Sequence, residues 1–212
     1  MNALILVDLQ NDFMPGGALA VADGDAVVPI ANRLMPHFDI VVATQDWHPA
    51  IHKSFASQHE GTSIGDVVKL NGLEQMLWPD HCIQDSLGAA LHADLDAGRI
   101  QRVFQKGTDI DIDSYSGFFD NGYRQGTGLS EFLREHNVAD VSVMGLATDY
   151  CVKFTAFDAV KLGLTTHLIK DGCRGVNVNP GDVDRALEEM SRVGVRVVTA
   201  AEIQTGEKSK KT

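Results

Sequence analysis

The sequence predicts an α/β protein in three layers, a six-stranded parallel sheet flanked by helices on both faces. Three observations carry that prediction. Short apolar, β-branched runs recur along the chain. The first of them, Ala3–Val7, is apolar throughout rather than alternating, as strands buried on both faces are. Segments with apolar residues at three- and four-residue spacing lie between several of them, which is the rhythm of strand and crossover helix.

In chain order, the expected strands cover 3–7, 40–44, 102–105, 141–144, 165–169 and 195–199. The expected helices cover 25–38, 129–136, 150–162 and 183–193. In the first of these, Val27, Val28, Ile30, Ala31, Leu34 and Met35 form one apolar stripe. Gly163 and Gly194 follow the last two helices as C-terminal stops. The rhythm breaks twice. Residues 46–84 form a long, weakly periodic excursion holding both tryptophans, Trp47 and Trp78, and four of the eight histidines, His48, His52, His59 and His81. So long a loop in a compact domain is usually functional or disordered, and the tryptophans and clustered histidines argue against disorder. Residues 107–128 form a second Gly- and Asp-rich loop with Tyr115, Phe118, Phe119 and Tyr123. The expected organisation is a single domain over 1–204 with a metal-binding excursion at 46–84, then a flexible polar tail at 205–212.

Composition excludes several classes. The chain has 212 residues, long enough for a sizeable core, and a net charge of −11 from 18 Lys+Arg and 29 Asp+Glu. That surplus disfavours nucleic acid and anionic membranes as partners. No apolar run approaches the roughly 18 residues of a membrane-spanning helix. The first run stops at Asp8 and lacks a basic flank, so it is not expected to be a signal peptide. Three cysteines, Cys82, Cys151 and Cys173, without a CxxC pair point to a reducing, cytoplasmic setting. Monomer and homodimer are both left open.

In a parallel sheet, ligands bind beyond the carboxyl ends of the strands. Three reactive side chains fall there: Asp8 after the first strand, Lys106 after the third, and Cys151 at the start of the helix after the fourth. Taken singly, Asp8 reads as a cap, Lys106 as a surface lysine and Cys151 as a small core residue. Together they make coherent chemistry. A thiol is a few per cent ionised at pH 7, so a nucleophilic cysteine needs help. The helix N-terminus and Lys106 would favour the thiolate, and Asp8 could take the thiol proton and return it to a leaving group. The turn at 145–151 could also offer the N–H groups of Ala147 and Cys151 as an oxyanion hole. Asp46, His48 and His52, with the distant His81, make one carboxylate and three imidazoles, a set suited to one divalent Zn, Fe or Mn ion rather than Ca. His59, in the same loop, is an alternative to His52.

Five segments carry a resemblance to a known family: Val7-Asp8-Leu9-Gln10-Asn11-Asp12-Phe13, Thr44-Gln45-Asp46-Trp47-His48, Trp78-Pro79-Asp80-His81-Cys82, Lys106-Gly107 and Gly145-Leu146-Ala147-Thr148-Asp149-Tyr150-Cys151-Val152. The chain resembles the cysteine-hydrolase (isochorismatase-like) superfamily from residue 3 to about 200, and within it the nicotinamidase/pyrazinamidase branch. The resemblance implies a small-molecule amide as substrate: nicotinamide split to nicotinate and ammonia through a cysteine thioester, with pyrazinamide as a further substrate. It implies Cys151 as nucleophile, Asp8 as base then acid, and Lys106 as the partner of both. The metal ligands would fall on Asp46, His48, His52 and His81, His52 being favoured over His59 by its His-x-Ser-Phe context. A ring pocket would fall on Phe13, Trp78 and Tyr115, and a cis peptide at 146–147, before the oxyanion-hole residue Ala147.

Overall fold

The computed structural model describes residues 1–206. Six parallel strands, β1 (Asn2–Val7), β2 (Ile40–Asp46), β5 (Arg102–Lys106), β6 (Asp140–Leu146), β7 (Thr165–Arg174) and β8 (Arg196–Val198), form one sheet. Its order is β5-β2-β1-β6-β7-β8. Helices surround it: α1 (Val28–Leu34), α2 (Leu129–Glu135), α3 (Lys153–Lys161), α4 (Asp182–Arg192) and α5 (Ala200–Thr205). Helix α1 packs with α5, and α3 with α4. Strand β1 is buried along its apolar length, as a central strand covered on both faces must be.

Every expected strand and helix segment carries its element, with shifted ends. The segment 25–38 keeps only α1 as α-helix, flanked by 3-10 turns at Gly24–Val27 and Met35–His37. Pro36 lacks the N–H that would continue the helix. Strand β7 runs five residues past its expected end, and its pairing with β6 slips between Val143 and Gly145. The excursion at 46–84 contains an antiparallel hairpin, β3 (Val67–Leu70) and β4 (Leu73–Met76). Its turn residues Asn71 and Gly72 both have positive φ, the conformation that favours Asn-Gly at a two-residue hairpin turn. Of the expected tail, Thr205 ends α5 and Gly206 caps it; residues 207–212 lie outside the described residues.

The topology places the site. Successive strands are laid to one side of β1 (β2, β5) and then to the other (β6, β7, β8). The chain after β1 and the chain after β6 therefore part from each other at a switch point, where open α/β sheets leave a crevice. Asp8 follows β1 and the turn bearing Cys151 follows β6. Gly145 makes this join possible. Its φ is +126°, and a Cβ there would lie 2.1 Å from the Val7 carbonyl oxygen on the neighbouring strand. Gly145→Ala is expected to lose about 3 kcal/mol or more of stability in urea unfolding, from overpacking added to an unfavourable backbone conformation; a loss below 1 kcal/mol would show that β6 can move away from β1.

Candidate active site

Four side chains from neighbouring strand ends meet below the surface. Lys106 Nζ lies 3.0 Å from Asp8 Oδ2, 2.5 Å from Asp46 Oδ1 and 3.3 Å from Cys151 Sγ, and it donates to the Ser114 carbonyl at 2.9 Å. All four are buried. Burial opposes the Lys106 charge, but Asp46 and Asp8 outweigh it and hold the ammonium well above its usual range. Burial pushes the Asp8 carboxyl up to about 6 against the opposing pull of Lys106. Asp8 Oδ1 accepts from Thr44 Oγ1 at 2.6 Å. Its Oδ2 is close to Lys106 but outside hydrogen-bond geometry, which leaves it able to accept another proton.

Cys151 departs from expectation in one respect. It lies not in the first turn of an α-helix but in a π-helical turn, Thr148–Val152, that precedes α3. Burial drives its thiol well above the usual value; Lys106 pulls it down, and Asp8 and Asp46 push it further up. The resting group is a neutral thiol. Ala147 opens this turn, and the Leu146–Ala147 peptide is cis.

Of the four expected metal ligands, the structure brings three together. Asp46, His48 and His81 have ligand atoms within 4.8 Å of one another, all buried. Asp46 Oδ2 is 3.8 Å from His48 Nε2 and 3.9 Å from His81 Nε2. The opposite ring nitrogens are anchored on main-chain carbonyls, His48 Nδ1 on Gly107 at 2.9 Å and His81 Nδ1 on Pro79 at 2.7 Å. That anchoring aims both Nε2 atoms at the carboxylate and is the support that metal-binding histidines usually have. Burial lowers both imidazoles to about 4, so they are neutral at pH 7, as ligands must be. His52 belongs to another group, with His48 and Asp113. Its Nδ1 pairs with Ser54 Oγ at 2.7 Å and its Nε2 lies 3.3 Å from the Ile112 carbonyl. His59 Nε2 pairs with the Lys53 carbonyl. The donor set of Asp46, His48 and His81 fits a divalent transition metal.

The Cys151 and histidine sites share one small cavity. Phe13, Trp78 and Tyr115 line it as expected, and so do Leu19, Tyr150 and Val176, which sequence reading did not single out. Trp78 Nε1 donates to the Tyr115 hydroxyl at 3.0 Å, and the Trp78 and Tyr150 rings meet edge to face at 4.8 Å. Two further residues were missed. Asp113 is buried on the cavity wall; burial raises its carboxyl, but His48, His52 and Lys106 outweigh that and hold it low. Gln75, on β4, donates to Asp113 Oδ2 at 3.0 Å and lies 3.2 Å from the Tyr115 hydroxyl, so the hairpin is tied to the cavity wall. The Asn71-Gly72 pair was the readable sign of that hairpin. Gln10 holds Asp46 in place by accepting its N–H and donating to its carbonyl, both at 2.8 Å.

Residues 2–202 match the Isochorismatase domain family. The chain is 54% identical over 205 residues to a nicotinamidase of Escherichia coli (strain K12), covering 95% of this chain and 96% of that one. It superposes with a TM-score of 0.92 on an Acinetobacter baumanii nicotinamidase/pyrazinamidase structure, at 43% identity and covering 95% and 97% of the two chains. A pyrazinamidase of Pyrococcus horikoshii in complex with zinc superposes with a TM-score of 0.75, at 38% identity, covering 93% and 98%.

Breaking a buried charge network by removing its cation leaves the carboxylates uncompensated. Lys106→Met is therefore expected to cost about 3–5 kcal/mol in urea unfolding with a chelator present. A cost near zero would mean that Asp8 and Asp46 do not depend on this ammonium.

Proposed function

This chain belongs to the isochorismatase family, and from that premise we propose that it hydrolyses nicotinamide to nicotinate and ammonia, a step of NAD salvage, and accepts pyrazinamide in the same way. One observation carries the reading: a buried thiol within 3.3 Å of an ammonium that also contacts a carboxylate of raised pKa. The aromatic cavity and the names of the chain's relatives support the choice of substrate.

In this mechanism the pyridine ring lies among Phe13, Trp78 and Tyr115. Asp8, ionised at pH 7, takes the Cys151 proton as Sγ attacks the carboxamide carbon, and Lys106 stabilises the developing thiolate. The N–H groups of Ala147 and Cys151 hold the oxyanion. The C–N bond then breaks, and Asp8 gives its proton to the leaving nitrogen, which departs as ammonia. Water attacks the thioester carbon while Asp8 accepts its proton. The C–S bond breaks, the thiolate takes the proton back from Asp8, and the product acid leaves as nicotinate, its remaining proton passing to water.

Asp46, His48 and His81 would hold the metal, with His52 standing behind His48. One carboxylate and two imidazoles suit Zn, Fe or Mn. A divalent cation held by these residues would supply Lewis-acid chemistry beside the substrate ring. Three free cysteines support a reducing, cytoplasmic setting; among the described residues no helix is long and apolar enough to cross a membrane.

Ammonia release from nicotinamide tests the reading. Wild type is expected to turn over, Cys151→Ala to lose at least 99% of the rate while keeping its metal, and chelated protein to lose activity that returns with a divalent cation. No release from metal-replete wild type would overturn it. The base has to be ionised, and its pKa is raised to about 6. Activity is therefore retained above that pH and lost below it: kcat/KM should fall about ten-fold per pH unit on the acid side. A flat profile down to pH 4 would remove Asp8 from the base role.

A further inference from the structure

The chemistry above leaves one buried carboxylate of the nucleophile turn unused. Asp149 lies two residues before Cys151 and is 5% exposed. Its oxygens turn toward the connection between β7 and α4. Oδ1 accepts the Val176 N–H at 3.0 Å and Oδ2 accepts the Asn177 N–H at 2.7 Å. A carboxylate that takes two successive amides fixes both the position and the orientation of that stretch of main chain, through charge-assisted bonds. The stretch is shaped to meet it. A Cβ at Gly175 would fall 3.1 Å from Asp149 Oδ1 and 2.1 Å from Val183 Cγ2 on α4, so only glycine allows this approach. Asn177 has φ +56° and accepts the Val183 N–H at 3.4 Å, which joins the same loop to α4.

Val176, the residue between these anchors, lines the catalytic cavity beside Ala147, Tyr150 and Cys151. It is half-buried. We propose that Asp149 is a positioning residue that fixes Val176 as the roof of the catalytic cavity, and that Val176 limits the size of the ring-substituted aromatic amides the site admits. The proposal deepens the amidase reading and rests on it. Because Asp149 belongs to the Thr148–Val152 turn, one short segment carries the nucleophile and also sets the height of the roof above it. A ring held under that roof keeps its carboxamide in line with Sγ, and reaction rates are sensitive to misplacement of about 1 Å.

Two variants test this. Asp149→Asn keeps the side-chain shape but turns an NH2 toward one of the two amides. Expected are faster hydrogen exchange at Val176 and Asn177 and a rise in KM for nicotinamide, each by about ten-fold, as loss of a bond to a charged group implies. The value of kcat should stay within about three-fold, since a positioning residue touches no reacting atom. A lower Tm with unchanged KM and unchanged exchange at these amides would reduce Asp149 to a structural role and overturn the proposal. Val176→Ala keeps both main-chain bonds, so exchange should not change. For at least one of 2-, 5- and 6-methylnicotinamide, kcat/KM relative to nicotinamide should rise about ten-fold, the usual effect of opening a pocket by a methyl group or two. No gain for any of the three would overturn the size-limiting role. Wild type without activity on nicotinamide would sink the amidase reading instead, while the exchange measurement would still decide whether Asp149 holds the loop.

Discussion

The site depends on one buried ammonium. Asp8, Asp46 and Lys106 follow or end β1, β2 and β5, three strands that lie side by side in the order β5-β2-β1. Parallel pairing in register brings their carboxyl ends to one level, with Asp46 opposite Lys106. Lys106 is the only cation among the three, and all are removed from water. Two carboxylates and one ammonium leave an excess of negative charge in a medium that tolerates it poorly. Burial is the main cause of the raised Asp8 pKa; Lys106 opposes it and the Asp46 charge adds to it. A divalent cation beside Asp46 is a natural way to offset the excess charge, and the neutral, backbone-anchored His48 and His81 face the same carboxylate.

Asp46 therefore belongs to both halves of the site. Its Oδ1 takes Lys106 while its Oδ2 faces the two imidazoles. Charge placed on one side is felt on the other, because little water intervenes to screen it. Gln10 bonds both main-chain groups of Asp46 and so helps to hold that carboxylate between Lys106 and the two imidazoles.

Most of this frame was legible because it follows from sheet geometry. Apolar runs mark the strands, and the residues just past them mark the crevice, so Asp8, Lys106 and Cys151 could be singled out before any coordinates. What spacing could not convey was direction. His52 read as a ligand beside Asp46 and His48 because it is close to them in sequence, yet a short turn after Pro49 sends it behind His48 toward Ile112 and Ser54. The hairpin β3–β4 was hidden because its side chains are largely exposed or half-buried and give no core periodicity. Helix α5 is six residues long, too short for a stripe, although the Thr199–Glu202 capping box was readable. Asp113 and Gln75 are buried polar residues whose partners come from distant loops, and nothing local announces them.

The protonation of Cys151 also escaped a reading based on helix ends, and it bears on how the proposed nucleophile works. A helix N-terminus lowers a thiol pKa when the thiol is near water and the dipole dominates. Here burial is the largest influence, two carboxylates add to it, and Lys106 alone opposes. In the proposed reaction the thiol stays neutral until Asp8, whose Oδ2 lies 3.0 Å from the same ammonium, takes its proton. Ionisation there accompanies attack, as the negative charge moves from sulfur to the carbonyl oxygen and toward the N–H groups of Ala147 and Cys151. Since oxidation of cysteine follows thiolate character and exposure, the same arrangement leaves the resting sulfur a poor target. Reactivity is thus conditional on a carbonyl group within reach. The buried charge cluster stores an acceptor for the proton rather than a preformed anion.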